Sequence, residues 1–209
     1  MPVLAMLLSF AVAAVLLVVL PGPDTLVVVR GLVRGGRREG LLTSAGVLCG
    51  LLVWIAAAVL GLSALLQASE IGYEALKLVG GCYLIWVGVQ SLRSLLTTAP
   101  QLTDPVGSPA PSRSGGFGAG FLTDILNPKI GVLFISLLPG FVPDGYPVAW
   151  TTFGLGLFYV ALTAIYCATL VIASGTIAGW MQTPRIRRRI DGLTGLVLVG
   201  FGVRLATEA

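Results

Sequence analysis

Three charged side chains stand inside apolar sequence: Asp24, Asp124 and Lys129. A charge at mid-bilayer costs about 2.5–3.5 kcal/mol on insertion scales, so such residues face a cavity or a partner. Two of the three directly follow a proline, in Pro21-Gly22-Pro23-Asp24 and in Asn127-Pro128-Lys129. Proline removes a backbone donor and its ring clashes with the preceding turn, so a helix should break at each place. Inside a membrane a broken helix persists only where its freed backbone groups face protein or a wet cavity. Paired breaks in two halves of one chain are the sequence mark of a transporter's binding site. The residues that could hold a solute or an ion are therefore Pro21, Gly22, Pro23, Asp24, Asp124, Asn127, Pro128 and Lys129. A half-helix N-terminus at Asp24 to Leu26 favours a carboxylate, while unwound carbonyls favour a cation. Asn127 can bond to backbone or to ligand. A site with both polarities suits a zwitterion such as an amino acid. A structural ion pair between Asp24 and Lys129, holding the two breaks together, is compatible with that role.

The elements that must position these residues are membrane helices. Of the 209 residues 56% are hydrophobic and only 11% charged, and mean hydropathy is +0.96. Soluble domains carry about 25% charged residues, so the composition is that of a membrane protein. The N-terminus has no basic region and no small-residue cleavage site, so Leu4 to Leu20 reads as a permanent span rather than a signal. Leu41 to Leu66 contains no charged residue, and Gly145 to Pro184 is a second uncharged stretch with an interfacial extension near Trp180. With about 20 apolar residues needed per span, the further segments 2–29, 75–96, 116–142 and 190–207 bring the expectation to six.

Lys and Arg in short loops mark the cytoplasmic side. The first loop carries Arg30, Arg34, Arg37 and Arg38, the third Arg93 and Arg113, the fifth Arg185, Arg187, Arg188 and Arg189. The second holds Glu70 and Glu74, and the fourth Asp144. Loops one, three and five are expected inside and both termini in the periplasm. The arginine run at 185–189 is a topology determinant on anionic lipid, so no nucleic-acid partner is implied.

Residues 97–115, rich in Pro, Ser and Gly, read as a cytoplasmic linker between repeat one (1–96) and repeat two (116–209) of a single transporter domain. Three spans on each side put the halves into the membrane in opposite directions. Pro23 then falls on Pro128, Asp24 on Lys129, Thr43 and Gly46 on Thr151 and Gly154, and Lys77, Gly80 and Gly88 on Arg189, Gly192 and Gly200. The fold class expected is an all-α integral membrane protein: two inverted three-helix repeats with helices 1 and 4 broken. Gly46 with Gly50, and Ser174 with Ala178, have the small-xxx-small spacing of close helix seams, and Gly192 lies three residues before Gly195. Gly81, Gly88, Gly154 and Gly156 could also let helices slide, and glycine seams could support a homodimer.

Other polar residues in spans, among them Ser9, Thr43, Ser44, Thr163 and Thr169, can bond back to their own helix. Cys49, Cys82 and Cys167 are scattered singly and read as small hydrophobes. No histidine is present, nor any HExxH, GxSxG or phosphate-cradling loop, so no enzyme activity and no cofactor are expected. A metal-ion exporter would want histidines or a carboxylate cluster. A membrane thiol relay would place a cysteine beside each break, where Asp24 and Lys129 stand instead.

Taken together, Pro21-Gly22-Pro23-Asp24, Leu76-Lys77-Leu78-Val79-Gly80-Gly81-Cys82-Tyr83-Leu84 with Gly88, Asn127-Pro128-Lys129 with Phe134, and Leu138-Pro139-Gly140-Phe141-Val142 resemble the LysE/RhtB family of amino-acid exporters over nearly the whole chain. The resemblance implies a bacterial inner-membrane protein that exports amino acids or their analogues, driven by the proton gradient. Family members often carry Gln where Gly140 stands. The residues leave the particular solute open and lean towards neutral amino acids, because a basic solute would need a carboxylate spare for its side chain and only Asp24 and Asp124 are candidates.

Overall fold

The computed structural model describes residues 3–19, 22–68, 70–93, 116–143, 145–173 and 184–207. Among these residues every regular element is a helix. In chain order they are α1 Val3–Val19, α2 Pro23–Ala68, α3 Glu70–Arg93, α4 Phe117–Ile125, α5 Pro128–Val132, α6 Val148–Ile172 and α7 Pro184–Thr207. After α5 the chain continues as a π turn, Leu133–Leu137, and a 3-10 turn, Leu138–Phe141. Pro139 lies in this stretch and offers no amide hydrogen, so a regular α ladder cannot run through it.

Element α2 is two arms rather than one rod. Gly35 and Gly36 leave helical geometry between them, and Gly36 has φ 65°, a conformation that glycine adopts at little cost. Arg30, Arg34, Arg37 and Arg38 therefore ride on the helical arms beside this turn, not on an open loop. Arg185, Arg187, Arg188 and Arg189 likewise belong to the first turns of α7, where the sequence suggested a loop. The linker expected at 97–115 and the interfacial extension near Trp180 lie outside the described residues.

Among the described residues two stretches are long and apolar enough to cross a membrane, Pro23–Gly61 and Val148–Ile172. A third forms if Phe117–Ile125 and Lys129–Ile135, bent by 56°, count as one span. The uncharged run read from the sequence at Leu41 to Leu66 is the second arm of α2. Polarity is distributed inside out. Leu60 and Trp150 are 72% and 75% exposed, whereas Asp124 and Asn127 are 0% and 3% exposed. Water would reverse that arrangement; lipid allows it. The protein is a helical membrane protein.

Two close helix seams organise the packing. The second arm of α2 lies on α4, with Gly46 against the backbone of Phe117 and Phe121, and Gly120 against that of Thr43. Helices α3 and α7 meet at Gly88 and Gly195, where a Cβ on Gly88 would come within 2.7 Å of the Gly195 carbonyl. Small residues allow this approach, and in lipid close packing is the main attraction between helices. Phe134, Phe141, Val47, Leu51 and Ile55 fill the space between elements. Phe134 meets Tyr159 edge-on at 5.6 Å, and Phe10 meets Phe141 at 5.3 Å between ring centroids.

Candidate functional site

The first break falls where the prolines stand. Helix α1 ends at Val19 and α2 starts at Pro23, so Pro23 is the first helical residue, where a missing N–H costs nothing. Gly22 caps the arm, its carbonyl accepting from Leu26 N at 3.1 Å. Asp24 follows in the first turn, its negative charge near the positive end of the helix. Pro21 lies outside the described residues.

The second break is built by Asn127. Helix α4 closes at Leu126, whose N–H donates to Leu122 O at 3.0 Å. Asn127 then turns into extended geometry (φ −78°, ψ 105°), and its side-chain oxygen accepts from Lys129 N at 3.1 Å as the N-cap of α5. Pro128 takes the first helical position. A capped start directly after a closed end gives the bend between α4 and α5.

These two breaks touch. Asn127 Nδ2 donates to Asp24 Oδ2 at 2.8 Å, and Lys129 Nζ donates to Leu17 O at 3.2 Å. The ion pair expected between Asp24 and Lys129 is replaced by this crossed arrangement: among the described residues there is no direct salt bridge between them. The reason is electrostatic. Lys129 starts at the positive end of α5, where a cation is unwelcome, and its long stem carries the amine to the free carbonyls at the negative end of α1. Asp24 is left with Oδ1 buried and without a hydrogen-bond partner.

A cavity opens between the breaks and α6. Gly22, Asp24, Asn127 and Lys129 form one side of it, and Tyr159, Thr163, Tyr166 and Cys167 the other. About 30 Å³ is open to the centre of a water molecule, room for roughly two waters. In this conformation the cavity is too small for an amino acid. Of the eight residues singled out in the sequence, Gly22, Asp24, Asn127 and Lys129 line this cavity. Pro23 and Pro128 set the helix starts behind it. Asp124 does not line it. It sits in the α2–α4 seam against Gly50, where a Cβ would come within 2.8 Å of the Asp124 Cβ.

The α6 face is the part that the sequence reading missed. The back-bonding expected of Thr163 is found (to Tyr159 O, 2.9 Å), as it is for Thr43 and Ser44 on α2. Back-bonding leaves a hydroxyl oxygen free to accept, however. Residues 159, 163, 166 and 167 recur at the spacing of one helix face, a signal that was available. Cys167 is buried on that face, and Cys49, Cys82 and Cys167 are all free thiols. Among the described residues no group of three His, Cys, Asp or Glu could hold a metal ion.

Chemically, the cavity offers a carboxylate oxygen in want of a donor, an amine with donors to spare, and a neutral wall of hydroxyls and apolar groups. Such a helical membrane protein, with a polar cavity at two interrupted helices, has the form of a solute translocator. The family model for LysE type translocators matches residues 15–209, and the chain belongs to that family. It is 31% identical to the threonine efflux protein of Escherichia coli K12, across 97% of this chain and 98% of that one. The uncharacterised membrane protein YrhP of Bacillus subtilis is 29% identical, across 95% and 97%. The leucine efflux protein of Klebsiella pneumoniae is 28% identical, across 96% and 94%. No solved structure matches.

Proposed function

We propose that the protein exports neutral amino acids or their analogues across the bacterial inner membrane, coupled to protons, through the cavity between the two helix breaks. One observation carries this reading. Asp24 Oδ1 lacks a partner, while Lys129 Nζ spends one of its donors on Leu17 O, and both residues line one cavity. An α-ammonium fits the first and an α-carboxylate the second, as charge-assisted hydrogen bonds. The solute's side chain then faces Thr163, Tyr166 and Tyr159. Asp24 is the cavity's one carboxylate among the described residues, and it is committed to the ammonium, so a cationic side chain finds no counter-charge. The threonine and leucine efflux relatives favour the same solute class.

The wider architecture follows from the sequence. Six spans form two inverted repeats, 1–96 and 116–209, joined by the cytoplasmic segment 97–115, with both termini in the periplasm. The cavity widens to one side at a time as the short helices around the breaks shift against the two glycine seams. Protein in proteoliposomes, offered each amino acid in turn under an imposed pH gradient, tests the reading. Export of threonine- or leucine-like solutes with little export of lysine or arginine supports it. Export of none, by folded protein, overturns it.

A further inference from the structure

The residue that the cavity leaves unexplained is Asp124. It is fully buried, and neither carboxylate oxygen has a hydrogen-bond partner. Its backbone carbonyl is held by Trp54 Nε1 at 3.2 Å. Gly50 supplies the space for its side chain, since a Cβ there would collide with the carboxylate. A leucine could fill such a gap between helices at lower cost, so a buried acid with no partner asks for a use.

We propose that Asp124 is the proton-carrying group of the export cycle, loaded with its proton in this conformation and kept apart from the solute. The inference rests on the exporter reading above. An ionised carboxylate without donors is disfavoured in a low-dielectric seam, and a bound proton removes the charge at no cost in space. A metal cation would need several oxygen ligands around it, whereas Asp124 packs against Gly50 and the indole of Trp54. Among the described residues the ionisable groups that interact electrostatically with it are Asp24 from α2 and the Tyr159 phenol from α6. Lys129 of α5 is turned away to Leu17 O.

This placement gives the coupling its sign. With the solute absent, ionising Asp124 would set a second negative charge near Asp24, which like-charge repulsion opposes. A solute ammonium on Asp24 cancels that repulsion, so binding the solute favours loss of the Asp124 proton, and regaining the proton favours loss of the solute. The proton leaves to water on the cytoplasmic side as solute loads, and returns from the periplasmic side as solute leaves. That is antiport.

Asp124→Asn, close in shape and permanently neutral, separates the roles in proteoliposomes. Two quantities are read: uphill export with its solute-linked proton flux, and exchange of labelled for unlabelled amino acid, which needs no net proton movement. We expect uphill export to fall by about ten-fold or more, while exchange at saturating amino acid changes by no more than about two-fold. The half-saturating concentration for exchange should rise, because Asn mimics the protonated form that holds solute more weakly. Uphill export by Asp124→Asn with its proton flux intact overturns the proposal, as does loss of exchange in folded protein or a wild type driven by sodium. Infrared spectroscopy gives a second reading without transport. Purified wild type at neutral pH should show the carbonyl stretch of a protonated carboxyl, and its absence also overturns the proposal. If the wild type moves no amino acid, the exporter reading fails, while the infrared band still reports whether Asp124 holds a proton.

Discussion

Asn127 joins the two breaks with one side chain, and replacing it separates its two contacts. Its oxygen caps α5 through Lys129 N at 3.1 Å, and its nitrogen donates to Asp24 Oδ2 at 2.8 Å. Loss of an N-cap costs about 0.5–2 kcal/mol, and loss of a hydrogen bond to a charged group about 1.5–3 kcal/mol. Asn127→Ala should therefore lose both, about 2–5 kcal/mol in all. Serine caps as well as asparagine but is too short to reach Asp24, so Asn127→Ser should lose only the bridge. Since a factor of ten corresponds to about 1.4 kcal/mol, solute affinity should drop about 10- to 150-fold in Asn127→Ser. Its thermal stability should lie between those of the parent and the alanine variant. Asn127→Asp keeps the capping oxygen but sets a second carboxylate against Asp24, and it should transport least. Affinity comes from calorimetry on purified protein and stability from thermal unfolding in the same detergent. If Asn127→Ser binds and unfolds like the parent, the crossed arrangement does not hold the site together.

Two other outcomes follow from the cavity and the charge pattern. Thr163→Val keeps shape and removes a cavity hydroxyl, so export of threonine should fall by about ten-fold relative to leucine; equal loss for both solutes would remove Thr163 from the reading of the side chain. In a background lacking Cys49, Cys82 and Cys167, cysteines placed at Ser69 or Asp144 should react with an impermeant reagent in intact cells and one at Arg113 should not, and the reverse pattern would overturn the orientation.

The breaks were legible because proline and charge are both costly in an apolar helix, and only two places combine them. The prolines mark the interruptions more than they make them. Pro23 and Pro128 occupy first helical positions, where the missing N–H is harmless, and the bend at the second break comes from the Asn127 cap. The seam at Gly46 was legible for a similar reason, since small residues at that spacing have few other uses in lipid, whereas the approach of Gly88 to Gly195 is stated only by the packing. Pairing was not legible. That Lys129 reaches the end of α1 instead of Asp24 depends on where two helix ends meet, which no spacing within the chain states. Tyr159, Thr163, Tyr166 and Cys167 were passed over because each alone is an ordinary helix residue, and only packing against the breaks turns their face into a wall. Asp124 was grouped with the solute site because a charge inside an apolar span must face a cavity or a partner, yet it sits in the seam with Gly50.

The central claim is that Asp24 receives the ammonium and Lys129 the carboxylate of the same solute. Calorimetry with threonine, its analogue without the α-amino group and its analogue without the α-carboxyl group tests it on three proteins: wild type, Asp24→Asn and Lys129→Met. Wild type should bind threonine and reject both analogues. Asp24→Asn should lose its preference for threonine over the deaminated analogue alone, and Lys129→Met its preference over the decarboxylated analogue alone. A crossed pattern of this kind would bear out the assignment. The same pattern in both variants, or a wild type indifferent to the loss of either group, would contradict it.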